Sequence, residues 1–233
     1  MKIKTVWAVY FSGTGTTGKI VTTIAAAAAE QLHAPCNTLD FTLPAPREHS
    51  YHFSTGDLVI FGTPVIAGRV PNVLLPFLTG HIQAEGALAV PVVLFGNRNY
   101  DDALMELREI LEGNGFRTIA GAAFIGEHSF SKTLAAGRPD EDDLSKATDF
   151  AIRLAAKADS LQALPSKPVY VKGELPLRPY YTPRDRNGVS INILKVTPKT
   201  NNSCIHCGLC AEICPMGSIR KDDVTQLSGI CIK

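Results

Sequence analysis

The chain has 233 residues, 45% hydrophobic and 19% charged, with 23 Lys and Arg against 22 Asp and Glu for a formal net charge of +1. This length suits one medium domain plus a small appendage, the composition supports a sizeable core, and the lack of a long basic run argues against nucleic acid or an anionic membrane as main partner. The apolar run within Met1–Ser12 is too short for a signal peptide and no stretch reaches the roughly 18 apolar residues of a membrane span, so a cytoplasmic location is expected.

From residue 4 short apolar runs alternate with helical stretches. Thr5–Phe11 (TVWAVYF) is a continuous β-rich run, as a strand buried on both faces requires. Lys19–Leu32 follows, and its alanines favour a helix lying close on a sheet. Further strands are expected at Asn37–Phe41, Asp57–Gly62, Ala87–Phe95 and Thr118–Ile125. Helices are expected at Pro71–Leu78, Asp101–Glu112 and Glu141–Leu161, the last with acids Asp140–Asp143 at its positive end. Strand alternating with helix gives a parallel sheet covered on both faces. Five strands predict a doubly wound α/β domain over residues 1–162, its ligand beyond the carboxyl ends of the strands. Residues 163–200 then read as an extended connector containing Pro165, Pro168, Pro176, Pro179, Pro183 and Pro198, with room for a short strand at Ser190–Val196.

The turn after the first strand is Ser12-Gly13-Thr14-Gly15-Thr16-Thr17-Gly18. Read literally, Gly13-x-Gly15-x-x-Gly18 is a dinucleotide fingerprint, with Asp40 about where a ribose-binding acid belongs. Read by its hydroxyls, a Ser- and Thr-rich loop at a helix N-terminus suits a terminal phosphate. Two later loops decide between them: Gly62-Thr63-Pro64-Val65-Ile66-Ala67-Gly68 after the third strand, and Phe95-Gly96-Asn97-Arg98-Asn99-Tyr100 after the fourth. Ser12-x-Thr14-Gly15-x-Thr17 resembles the phosphate loop of flavodoxins, and Gly96 with Tyr100 keeps the spacing of their third flavin loop. The resemblance implies that Ser12, Gly13, Thr14, Gly15, Thr16 and Thr17 hold the phosphate of FMN. It places Pro64, Val65, Ile66, Ala67 and Gly68 along the isoalloxazine, with Phe95, Gly96, Asn97 and Arg98 in the third loop. Tyr100 would stack on the ring and Asn97 would reach its pyrimidine edge. Flavodoxins often carry an aromatic in the second loop; here Ile66 stands there, and connector residues Tyr180 and Tyr181 are candidates to cover that face or to anchor the connector.

Near the C-terminus, Cys204, Cys207, Cys210 and Cys214-Pro215 are spaced C-x₂-C-x₂-C-x₃-C-P, the bacterial iron–sulfur run. A zinc knuckle would pair two C-x₂-C units across a longer gap or add histidines. Five of the six cysteines lie after residue 200, which suits a metal site and not a spread disulfide framework. His206 reads as a neighbour of the ligands. Residues 201–233 resemble a bacterial ferredoxin of two [4Fe–4S] clusters, with a second run beginning at Cys231; by that likeness Cys214 and Cys231 belong to the second cluster, and the chain is expected to continue past Lys233.

The whole sequence resembles the fused flavodoxin–ferredoxin proteins of anaerobic bacteria and archaea. That implies an α/β, five-stranded flavodoxin-like domain with a small ferredoxin-like iron–sulfur domain, carrying FMN and [4Fe–4S] clusters. The expected function is electron transfer with redox partner proteins. An FMN-dependent reductase of a small acceptor such as a quinone, or a redox-sensing module, are the alternatives.

Overall fold

The computed structural model describes residues 1–131, 133–191 and 197–232. In chain order its regular elements begin with strand β1 (Thr5–Tyr10), helix α1 (Thr16–Leu32), strand β2 (Cys36–Asp40), strand β3 (Tyr51–Ser54) and strand β4 (Asp57–Pro64). Helix α2 (Leu75–Gly80), β5 (Ile82–Glu85), β6 (Leu88–Phe95), helix α3 (Ala103–Gly113), β7 (Arg117–Thr118) and β8 (Ala122–Ile125) follow. Helix α4 (Glu141–Ser160) and the single-turn α5 (Leu209–Glu212) complete the set. The main sheet is parallel in the order β2-β1-β4-β6, with β7 and β8 both pairing with β6 as two pieces of one edge strand. Counting those pieces as one strand gives the flavodoxin-like order 2-1-3-4-5.

Alternation along β4 divides the core. Leu58 and Ile60 face α1 and α4, while Val59 and Phe61 face α2, α3 and the connector. Helix α1 lies close on the first face because Ala25, Ala28 and Ala29 present no bulk. It comes close at Gly62, where an added Cβ would stand 2.3 Å from Val21 Cγ2. The start of α4 is a capping box: Asp140 accepts from the Asp143 N–H at 3.1 Å and Asp143 accepts in return from the Asp140 N–H at 3.0 Å.

Two features differ from the sequence expectation. The edge strand expected as Thr118–Ile125 breaks around Gly121, where Val171 of the connector packs so closely that a Cβ would meet its Cγ1 at 2.8 Å. A second, two-stranded parallel sheet of β3 and β5 covers part of the core, with buried Phe53 edge-on to Trp7 at 5.5 Å. The short strand expected at Ser190–Val196 falls outside the described residues apart from Ser190, which bridges to Arg184, and Ile191. No described helix is long and apolar enough to cross a membrane.

The Gly62–Val21 contact sets the height of α1 above the sheet. Gly62→Ala overpacks it, and an expected loss of about 1–3 kcal/mol would be read from the shift in the urea unfolding midpoint at unchanged slope.

Candidate functional site

The loops at the carboxyl ends of β1, β4, β6 and β8 surround a cavity of ≈ 460 Å³, within the range of small-molecule and cofactor sites. Its first wall is the turn into α1. There Ser12 ties the loop together: its N–H donates to Thr42 Oγ1 at 2.8 Å, and its Oγ accepts from the Gly18 N–H at 2.9 Å. Gly15, at φ 83, takes the left-handed conformation that starts the helix. Thr14 and Thr16 line the cavity with their hydroxyls 3.4 Å apart, beside first-turn N–H groups that have no intrahelical acceptor. Ser12, Gly13, Gly15 and Thr17 are outside the lining: Thr17 is buried against Gly62, Gly13 faces Pro215, and Gly15 is exposed. Asp40, the acid that a dinucleotide site would need, is outside the lining; it accepts from the Thr42 N–H at 2.9 Å.

Pro64, Val65, Ile66, Ala67 and Gly68 all line the second wall. Ile66 and Arg69 exchange two backbone bonds of 3.0 and 3.1 Å around Ala67 (φ 53) and Gly68 (φ 79), a turn with positive φ at both centres. In the third loop Phe95, Gly96, Arg98 and Asn99 reach the cavity, whereas Asn97 and Tyr100 do not. Tyr100 turns inward, edge-on to Phe95 at 5.4 Å with Lys172 Nζ 5.9 Å from its ring centre. Ala67, Asn97 and Asp101 are non-glycine residues at positive φ, so backbone strain concentrates on this rim. A further wall escaped the sequence reading: Gly126–Phe130, the loop after β8, whose place at a strand's carboxyl end was the available signal.

The connector supplies the remaining wall through Tyr181 and Pro183. It is held by Asp102, which is 0% exposed at the start of α3 yet bonds nothing on that helix with its side chain. Its carboxylate accepts from Arg178 Nε (2.8 Å) and Nη2 (2.5 Å) and from the N–H groups of Arg178 (2.9 Å) and Glu174 (3.0 Å). A second buried carboxylate, Glu106, receives Arg69 Nε at 2.7 Å and Nη2 at 2.6 Å and the Val70 N–H at 2.8 Å. The Arg69 guanidinium lies 4.9 Å from the ring centre of Tyr180, whose hydroxyl donates to Val70 O at 2.7 Å. Burial, with Glu106 nearby, pushes the Tyr180 phenol up to about 12. Arg69 is therefore a structural ion pair, and Arg98 pairs with Asp101 at 2.6 Å.

In the cysteine run the chain takes positive φ at His206 (54), Gly208 (78) and Gly217 (60), and backbone N–H groups meet sulfur: His206 N–H to Cys204 Sγ at 3.4 Å and Ser218 N–H to Cys214 Sγ at 3.3 Å. Cys207 and Cys210 are exposed; Cys204, Cys214 and Cys231 are half-buried. Ser218 links Cys214 to the neighbourhood of Cys231, since its hydroxyl donates to Ile230 O at 2.7 Å. Among the described residues no three Cys, His, Asp or Glu side chains converge into a single metal-holding group. The donor set nevertheless fits an iron–sulfur cluster in its chemistry: four thiols at C-x₂-C-x₂-C-x₃-C spacing along the chain, two of them accepting from backbone N–H groups. The segment seats on the α/β body through Arg47, whose Nη2 donates to Pro215 O at 2.5 Å while Nη1 donates to Phe41 O and Thr42 O. Cys231 and Ile232 reach the wall of the cavity itself.

The family model described as a 4Fe-4S binding domain matches residues 199–220. In sequence the chain matches no curated protein. Among solved structures it is similar to a flavodoxin from the domain Archaea (14% identity, 67% of this chain and 99% of that one, TM-score 0.47) and to Flavodoxin 2 from Bacillus cereus (18%, 68% and 99%, TM-score 0.48). It is also similar to the rubredoxin oxygen:oxidoreductase of Desulfovibrio gigas (16%, 70% and 38%, TM-score 0.45). The flavodoxin-like fold rests on the strand order itself, and the chain joins that fold to a 4Fe–4S binding segment.

Asp102→Ala leaves two backbone donors and the Arg178 guanidinium without their acceptor, and an expected loss of about 2–4 kcal/mol, reduced by Arg178's exposure, would be read by thermal or urea unfolding. The Arg178 bonds hold the Asp102 carboxyl well below the usual carboxylate range. Its contribution is therefore complete above the unfolded value of about 4 and fades only as pH falls toward the depressed folded value. The gap in stability between the unaltered chain and Asp102→Ala should hold constant from neutral pH down to about 4 and narrow only below it.

Proposed function

We propose that the cavity holds FMN and the cysteine run holds [4Fe–4S] clusters, and that the chain passes electrons between these centres and external redox proteins in the cytoplasm. One observation carries the reading: Cys231 and Ile232, from the cysteine-bearing segment, share a cavity wall with the loops after β4, β6 and β8. Bound there, a flavin exchanges one or two electrons and a cluster exchanges one.

The chain's own residues supply the setting. Thr14, Thr16 and the first turn of α1 are donors suited to a phosphate, where the helix dipole favours negative charge. The second and third loops give mainly apolar walls from Pro64, Val65, Ile66 and Phe95 that exclude water from a flat ring. Backbone N–H groups donate to the sulfurs of Cys204 and Cys214, the kind of outer contact that orients and tunes a ligating sulfur. The loop arginines are already paired, Arg69 with Glu106 and Arg98 with Asp101.

Anaerobic purification with absorbance spectra and iron, sulfide and flavin analysis tests this. Both FMN and iron are expected. Cys207→Ser should deplete iron and sulfide while leaving FMN content unchanged, and Thr16→Glu should do the reverse by placing a carboxylate against the phosphate donors. FMN without iron in the unaltered chain would sink the two-centre reading, and bound nicotinamide dinucleotide would sink the assignment of the cavity.

A further inference from the structure

Adjacent tyrosines of the connector have been sent to opposite environments. Tyr180 is packed away, its hydroxyl on Val70 O and its ring under Arg69. Tyr181 is 54% exposed and turned into the cavity wall. It contributes little to the core, yet it is held firmly. Its N–H donates to Ala67 O in the second loop at 2.9 Å, and the Arg98 guanidinium of the third loop lies 4.8 Å from its ring centre. Three residues upstream, Arg178 is fixed by Asp102 through its side chain and its N–H, and its carbonyl accepts from Arg69 Nη1 at 2.5 Å. A half-exposed ring in a fixed position at a cavity rim has apolar surface still to bury and little conformational freedom left to lose on doing so.

We propose that Tyr181 is a ligand-binding residue of this cavity, an aromatic wall delivered by the connector and positioned by the Asp102–Arg178 pair. It takes the part that Ile66 cannot play in the second loop and that Tyr100, packed edge-on to Phe95, does not play in the third. The inference rests on the FMN reading above and adds to it that the site is incomplete without residues 178–181. The α/β loops alone form a phosphate grip and the walls of the second loop, the third loop and Gly126–Phe130. The connector, which leads on to the cysteines, adds the remaining one, so occupancy of the cavity and the placement of the iron–sulfur segment share one element.

FMN titration of apo-protein, followed by flavin fluorescence and by calorimetry, decides the matter. Tyr181→Ala should weaken FMN binding roughly tenfold, from the lost aromatic contact and its buried area. Tyr181→Trp should stay within about threefold, because a ring is kept. The unfolding midpoint of the apo-protein should move only slightly in Tyr181→Ala, where the exposed contact with Arg98 is lost, and less than in Arg178→Ala; a merely structural role for Tyr181 would move the midpoint and leave FMN affinity unchanged. Arg178→Ala should weaken binding in the same direction, as an effect on position, and should also lower stability. If the unaltered chain takes up no FMN, the underlying reading fails and this inference falls with it. If it takes up FMN and Tyr181→Ala binds it equally tightly, the inference alone is overturned, whatever Arg178→Ala does.

Discussion

Asp102 is the constraint on which the molecule's functional end depends. Its type and place at the start of α3 suit a helix cap, yet its side chain serves the connector, taking four donors from Glu174 and Arg178. Its own N–H donates to Gly68 O at 3.0 Å. One fully buried residue thus ties the second cavity loop to the segment that runs toward the cysteines. A buried carboxylate with a complete set of charge-assisted partners is costly to break, because each group left behind would remain desolvated. Residues 169–181 therefore behave as part of the α/β body: Val171 is buried in its core, and Arg108 Nη1 donates to Val169 O at 3.0 Å.

The opposite side of the cavity depends on close approach instead of charge. Gly62 brings α1 down onto the sheet, Gly15 gives the left-handed entry, and Ser12 satisfies the Gly18 N–H so that the first turn stays regular. Donors for an anion consequently sit at the sheet's carboxyl edge, where the dipole of a 17-residue helix adds to them. The rim between the second and third loops carries the strain, at Ala67, Asn97 and Asp101, and the two buried carboxylates beneath hold it in place. A rigid sheet with strained, well-supported loops is the usual division between scaffold and site.

The cysteine segment meets this site at two points. Arg47 reaches from the region after β2 to Pro215, beside Gly13 of the α1 turn, and Ile232 packs against the main core while Cys231 faces the cavity. Ser218 joins the two regions, with its N–H on Cys214 Sγ and its hydroxyl on Ile230 O. Centres held by the two parts would be separated by a wall of side chains and not by a long linker. Electron transfer between fixed centres needs little more from a protein than that proximity and a tuned environment.

By itself the sequence determined the parts whose signals are local. Strands β1, β4 and β6 are apolar runs that a doubly covered parallel sheet buries; α1 is alanine-rich; the Ser/Thr loop and the four thiols carry their chemistry in their spacing. Asp140 and Asp143 read as a helix start and form one. Tertiary structure decided the rest, where one residue type admits several partners. Tyr100 and Tyr181 are both plausible ring covers by sequence, and only packing against Phe95, Lys172 and Arg98 turned one away from the cavity and the other toward it. Strands β3 and β5 are four residues each and bury too little for a period to show, and the break near Gly121 lies where Val171, fifty residues away, packs against the edge strand. The proline-rich connector looked like a spacer because its side-chain pattern is irregular. Its place in the core comes from Val171 and from scattered long-range bonds to Asp102, Val70 and Ala67, which leave no periodic trace in the chain.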